Sequence, residues 1–321
     1  MVGEVMRQVI SERRIHPTEF IPVASLKSKG RPLEFEGSEY SLHSIEEAIE
    51  SKPDYALFSA GGEVSRACAP HFVKNGTVVI DNSSAWRMDE HVKLIVPEVN
   101  GHLLEKGDQL IANPNCSTIQ LVMILKPLSD AFGLDRVLVS TYQSVTGTGK
   151  KALDQLRAES KGEKVEEPAY PHAIHLNALP HCDVFEANAY TREEMKLFHE
   201  SRKILGIPQL PLSATAVRIP VVGGHAESVT IDLKRPFDLE EIKEVLSSMP
   251  GVIVEDEPSE NRYPMPINAH GKDEVWVGRM RRDVHFPQTL HLFIVADNLR
   301  KGAATNAVQI MEQMMQLRKS N

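Results

Sequence analysis

Gln109-Leu110-Ile111-Ala112-Asn113-Pro114-Asn115-Cys116-Ser117-Thr118 joins two patterns. Leu110-Ile111-Ala112 reads as the end of a short apolar strand, whereas Ile119, Val122, Leu125 and Leu128 recur at helical spacing up to Gly133. Strand, polar turn and helix in succession form the repeating unit of a parallel α/β sheet. Asn115 or Ser117 can cap the helix, which puts Cys116 in its first turn or just outside it. A thiol there faces backbone N–H groups and the positive end of the helix dipole, and both favour its thiolate. The same N–H groups are expected to stabilise an oxyanion once the thiolate has attacked a carbonyl. A cysteine is otherwise a small buried hydrophobe, so the reading as a nucleophile rests on its company.

Upstream, residues 1–13 read as a helix with Val5, Val9 and Ile10 on its inner face, and no strand precedes it. Residues 19–25 read as an apolar strand entering the polar turn 26–30. Ser44 opens a short helix with Glu47 at the capping-box position. Tyr55-Ala56-Leu57-Phe58-Ser59 is a strand ending in Ala60-Gly61-Gly62; a helix over 63–75 and a strand over 77–81 follow. Strands alternating with helices, with glycines and hydroxyls at the strand ends, predict a parallel sheet whose ligands bind at the carboxyl ends. Downstream the pattern changes. Strands are expected over 136–143, 215–220, 228–234, 275–282 and 289–296, and helices over 150–160, 191–205 and 239–248. An amphipathic helix over 302–317 closes the chain, with Val308, Ile310, Met311 and Met314 inside. A strand-rich second half before that helix predicts a second, α+β domain.

A chain of 321 residues suffices for two domains with sizeable cores. Its net charge of −8 argues against nucleic acid or an anionic membrane as partner. No run of about 18 apolar residues occurs, so no transmembrane helix is expected. Residues 1–13 carry Glu4 and Arg7 and lack the apolar core of a signal peptide. Three cysteines, Cys68, Cys116 and Cys182, suit a reducing cytoplasm.

Gly147-Thr148-Gly149-Lys150 lacks the earlier glycine of a phosphate-binding P-loop. His172, His175, His181 and Cys182 match no common zinc spacing, and no metal is expected. Arg218-Ile219-Pro220-Val221-Val222-Gly223-Gly224-His225 is more informative. A cysteine nucleophile needs a proton acceptor and a carboxylate substrate suits a bidentate arginine; this one segment supplies both. Glu193 and Lys196, one helical turn apart, read by default as a surface ion pair.

Together these residues resemble the aspartate-β-semialdehyde dehydrogenases along nearly the whole chain. The matching stretches are Phe58 to Gly62, Asp81-Asn82-Ser83-Ser84-Ala85-Trp86-Arg87, Asn113 to Thr118, Tyr142 to Gly147, Arg218 to His225, and Asp297 to Ala304, in the family's order. The resemblance implies a Rossmann-type parallel sheet domain over 1–115 and 299–321, and an α+β catalytic and dimerisation domain over 116–298. It implies NADP-dependent conversion of aspartyl 4-phosphate to aspartate 4-semialdehyde, on the route to lysine, threonine, methionine and isoleucine. Cys116 then forms a thioacyl enzyme, His225 serves as acid/base, and Gln143 orients substrate and intermediate. Arg218 holds the α-carboxylate, Glu193 the α-ammonium, and Lys196 with Arg87 the phosphate; Asn115 joins the substrate site. For NADP, Ser25, Lys27 and Ser28 match the grip on the 2′-phosphate, with a lysine where arginine is common. No acidic residue at that strand end would bind a free ribose. Gly3, Ser59, Gly61 and Gly62 fall along the pyrophosphate, and Gly147, Asn298 and Gly302 near the nicotinamide. A homodimer is expected.

Family members begin with an apolar strand and a Gly-Ala-Thr-Gly-x-Val-Gly turn, of which Met1-Val2-Gly3 matches only the tail. The first strand of the sheet is therefore missing here, and the start is expected to be internal to a longer protein. Three other readings stay open: N-acetyl-glutamyl-phosphate reductase, a non-catalytic paralogue that pairs with an active subunit, and a cofactor-free cysteine hydrolase.

Overall fold

The computed structural model describes residues 1–319. The chain divides into two compact units, one of Val2–Pro97, Gly101–Asn113 and Ala304–Asn321, the other of Met1, Glu98–Asn100 and Pro114–Ala303.

The first unit is built on a four-stranded, all-parallel sheet in the order Tyr55–Phe58, Val78–Asp81, Leu110–Ala112, Lys93–Leu94. Successive side chains of a strand point to opposite faces, and Val78–Asp81 is apolar on both. Val78 and Ile80 join Met6, Val9, Val308, Met311 and Met314 beneath the helices Val2–Glu12 and Thr305–Lys319. Val79 joins Phe58, Ala69 and Phe72 beneath the helix Gly62–Lys74 on the other face. Ser44 caps the helix Ile45–Glu50 in a full capping box.

Residues 19–25 do not form the expected strand. Val23 makes a single parallel bridge to His43, and the segment is instead held by Phe20, whose ring lies 4.4 Å from that of Phe35 and 5.2 Å from that of Tyr40. Pro22 has no N–H to give a ladder. Phe35 and Tyr40 belong to the hairpin Pro32–Phe35 and Ser38–Ser41, whose four-residue strands are too short for the Leu33-Glu34-Phe35 alternation to stand out in the sequence.

The second unit holds a six-stranded mixed sheet in the order Val252–Val254, Val275–Arg282, Thr289–Ala296, His225–Leu233, Leu134–Gln143, Leu212–Arg218. Helices Cys116–Phe132, Arg192–Leu205 and Leu239–Ser247 pack against it and one another. The register explains the site. Gln143 pairs with Arg218 at the ends of two parallel strands, Tyr142 with Ala226, and His225 with Ala296 across antiparallel neighbours. Four strand ends, from three stretches distant in sequence, thus reach one rim of the sheet. Beyond Ala296 the chain runs into a π-helical stretch, Arg300–Ala304, before its last helix, a widened turn that often marks functional sites.

Candidate active site

Asn115 caps the Cys116 helix: with φ −63° and ψ 145°, its Oδ1 accepts from the N–H of Ser117 at 3.0 Å and of Thr118 at 3.3 Å. Cys116 therefore occupies the first helical position, and among residues 111–125 it is the one that is not fully buried. The Ile119 N–H is taken by the Asn115 carbonyl at 2.9 Å. The Ser117, Thr118 and Ile119 N–H groups are engaged by the cap and the first helical bond.

Glu193, in the first turn of the Arg192–Leu205 helix, is buried rather than at the surface. Its Oε1 accepts from Asn115 Nδ2 at 2.9 Å and Gln143 Nε2 at 3.2 Å, and its Oε2 from Lys196 Nζ at 3.0 Å. Gln143 Nε2 also lies 3.1 Å from Ser117 Oγ. Lys196 Nζ bonds Asp183 Oδ2 at 2.8 Å. Burial pushes the Glu193 carboxyl up, but the Lys196 charge and the Asn115 hydrogen bond outweigh it and hold the group down at about 2. For Lys196, burial favours the neutral amine, while Glu193 and Asp183 override it and raise its pKa.

Arg218 and His225 converge on the main chain of Ser144. Arg218 Nη1 donates to the Ser144 carbonyl at 2.7 Å, and the Ser144 N–H donates to His225 Nδ1 at 3.0 Å. Gly147 permits this approach: a Cβ there would lie 2.9 Å from both Arg218 Nη1 and His225 Nε2. Because Nδ1 accepts, the neutral imidazole carries its proton on Nε2, and Nε2 is buried with no hydrogen bond inside the protein. Burial, and then the Arg218 charge, push His225 down to about 3. Histidine-selective NMR should accordingly find this ring neutral from pH 5 to 8; protonation near the ordinary value of 6.5 would contradict the assignment. Between about 3 and 6.5 the unfolded chain binds the proton that the folded chain refuses, so this group makes stability fall as pH falls through that window. Glu193 acts in the same sense at lower pH, its contribution fading as pH drops from 4.5 through about 2.

Gly302 sits in the π-helical stretch with its Cβ position 2.9 Å from Cys116 Cβ, so Cys116 leaves no space for a side chain there. Asn298 is buried, and its Oδ1 lies 3.1 Å from Thr146 Oγ1.

The remaining expected residues belong to the parallel-sheet unit. Arg87 is buried, and its Nε and Nη2 donate to the carbonyls of Asn113 at 2.9 Å and Asn82 at 3.0 Å. Ser25 immediately precedes the 3-10 turn Leu26–Ser28, which carries Lys27 and Ser28, with Lys27 exposed. Ser59 is exposed at the end of its strand. Gly61 caps the Gly62–Lys74 helix at φ 89°, without a side-chain hydrogen bond and with open space about it. Gly3 lies in the first turn of the Val2–Glu12 helix, also in open space. Elsewhere His181 stacks on Phe185 and Cys182 is buried. Among the described residues no His, Cys, Asp and Glu cluster is suited to a metal, and no helix is long and apolar enough to cross a membrane.

Sequence reading missed Ser144, Asp183 and Glu200. Glu200 is buried, and its Oε2 accepts from the backbone N–H of Asn115 at 2.7 Å. The available signal was its place two turns from Glu193, on the face that also buries Leu197 and Ile204.

A thiol at a helix start, a neutral histidine and a buried carboxylate–amide–ammonium network suit acyl transfer. Residues 1–107 match the family described as semialdehyde dehydrogenase, NAD binding domain, and residues 125–301 that described as semialdehyde dehydrogenase, dimerisation domain. The chain is 49% identical over 322 residues to the aspartate-semialdehyde dehydrogenase of Aquifex aeolicus, covering 98% of this chain and 95% of the relative. It is 47% identical to that of Legionella pneumophila, covering 97% and 92%. The structure of aspartate semialdehyde dehydrogenase II from Vibrio cholerae complexed with ASA superposes with a TM-score of 0.94 at 41% identity, covering 98% of this chain and 95% of that one. The chain belongs to the aspartate-semialdehyde dehydrogenase family.

Proposed function

We propose that the chain converts aspartyl 4-phosphate to aspartate 4-semialdehyde and phosphate with NADPH, through a thioacyl group on Cys116. One observation carries this reading. Asn115, the cap of the Cys116 helix, shares Glu193 with Gln143 and Lys196, at the sheet rim that also presents Arg218 and His225.

The Cys116 thiolate attacks the acyl carbon, the C–O bond to phosphate breaks, and a thioester forms. Arg87 and Lys196 hold the phosphate. Arg218 Nη1 is committed to Ser144, while its Nε makes no hydrogen bond within the protein, so the Nε–Nη2 edge is the fork for the α-carboxylate. Glu193, ionised, takes a share of the α-ammonium. When bound, NADPH supplies the hydride that reduces the thioester carbon. The oxygen of the resulting thiohemiacetal accepts a hydrogen bond from His225 Nε2–H, which serves it as the acid/base group, and the intermediate collapses to the aldehyde as its C–S bond breaks and the Cys116 thiolate leaves. Gln143 orients the same intermediate.

The residues fit the cofactor. Gly61 leaves a helix start with no side-chain cap and open space, which suits a pyrophosphate with Ser59 and Gly62 beside it. Exposed Lys27, with Ser25 and Ser28, suits a 2′-phosphate, so NADP is preferred to NAD. Gly147, Asn298 and Gly302 serve the nicotinamide end and Gly3 the pyrophosphate end. Residues 1–115 and 299–321 form the cofactor domain and 116–298 the catalytic domain, which pairs into a homodimer through the sheet face bearing Leu138, Tyr142 and Phe293. The cytoplasm suits its three thiols.

The test is nicotinamide reduction with aspartate semialdehyde and phosphate. Turnover should require phosphate and favour NADP over NAD by about tenfold or more, the scale of a single charged contact. Phosphate-independent reduction would overturn the acyl-phosphate chemistry, and a preference for NAD would overturn the cofactor assignment.

A further inference from the structure

We infer that Glu200 is a positioning residue for the nucleophile: its carboxylate holds the Asn115–Cys116 segment in place by accepting the Asn115 backbone N–H. This rests on the reading of Cys116 as nucleophile and Glu193 as the ammonium acceptor.

The Arg192–Leu205 helix grips Asn115 twice. Glu193 takes its side-chain amide at 2.9 Å, and Glu200, two turns further along, takes its backbone N–H at 2.7 Å. The two bonds are not equivalent. Glu193 Oε1 is shared by Asn115 and Gln143, and its Oε2 by Lys196. An arriving ammonium must displace part of that set, and the Asn115 amide is among the donors that give way. Asn115 Oδ1 meanwhile carries the cap on Ser117 and Thr118, and that cap fixes Cys116 at the first helical position. If Glu193 were the sole anchor, substrate binding would loosen the group that aims the thiol. Glu200 bonds to main chain and is untouched by that exchange. It keeps the backbone of Asn115 extended, and the cap engaged, whether or not substrate is present.

The anchor is a hydrogen-bond acceptor at a set reach, which separates two substitutions. Glu200→Gln keeps an acceptor oxygen at the same distance and loses the charge. Glu200→Asp keeps the charge and withdraws the oxygen by one methylene. Iodoacetamide alkylation of Cys116 without substrate, and kcat per titrated active site, should stay within about threefold of the parent in Glu200→Gln. Both should fall in Glu200→Asp, kcat by about 10²-fold, the scale of a misplaced nucleophile. The KM for NADPH should not change. Glu194→Gln is the control: Glu194 is buried on the same helix and bonds Thr191 and Ala216 instead, so its loss should lower the melting temperature without slowing alkylation. Parent-like alkylation in Glu200→Asp, or a larger loss in Glu200→Gln than in Glu200→Asp, overturns the assignment. A parent enzyme without turnover would strike the proposed function, while the alkylation comparison would still decide the role of Glu200.

Discussion

Cys116→Ala should lower kcat by about four to six orders of magnitude, the usual cost of deleting a covalent nucleophile. It should leave the melting temperature within a few degrees and the affinity for NADPH unchanged. The position explains the first expectation. Cys116 is half-exposed at the start of its helix, and the only other thiols are poor substitutes. Burial pushes Cys182 up to about 12, and burial also raises Cys68. The second expectation follows because the alanine keeps its place beside the Asn115 cap, whose bonds use Asn115 atoms and backbone N–H groups rather than the sulfur. Residual activity above about one percent in a folded Cys116→Ala protein would sink the thioacyl mechanism.

Arg218→Lys should reduce kcat/KM for aspartate semialdehyde by about 10²- to 10³-fold, on the order of 3–4 kcal/mol for the loss of two charge-assisted hydrogen bonds. An ammonium cannot both bond the Ser144 carbonyl and present the Nε–Nη2 fork, so the charge survives and the geometry does not. The dissociation constant of NADPH should be unaffected. Equal damage to substrate and cofactor binding would count against the carboxylate role. Arg218→Met carries the argument one step further. The Arg218 charge is the second cause, after burial, of the low pKa of His225. Its removal should let the imidazole protonate at a higher pH, visible by NMR.

Much of this site was legible because its key residues sit where local sequence rules apply. Asn115 is a side-chain cap, and Thr191 with Glu194 forms a capping box that fixes where the Arg192–Leu205 helix begins, hence where Glu193 points. The strands Val275–Arg282 and Thr289–Ala296 were visible as alternation. What escaped depends on main-chain groups, which carry no mark in the sequence. Ser144 organises Arg218 through its carbonyl and His225 through its N–H, at separations of 74 and 81 residues. Glu200 meets a backbone N–H 85 residues away. The expected strand over residues 19–25 failed for a related reason: apolar content alone does not supply a ladder partner, and aromatic packing on Phe35 and Tyr40 won.

The shared carboxylate of Glu193 has an evolutionary consequence. A descendant accepting a substrate without the ammonium cannot simply replace Glu193 with an apolar residue. That single step would strand the amide of Asn115, leave the Gln143 amide with Ser117 Oγ alone, and leave Lys196 with Asp183 alone. Each orphaned partner is a penalty paid before any new activity appears. The individual changes are deleterious alone and tolerable together, so this corner of the protein is strongly epistatic. Its substrate preference is guarded less by any one residue than by the order in which several would have to change.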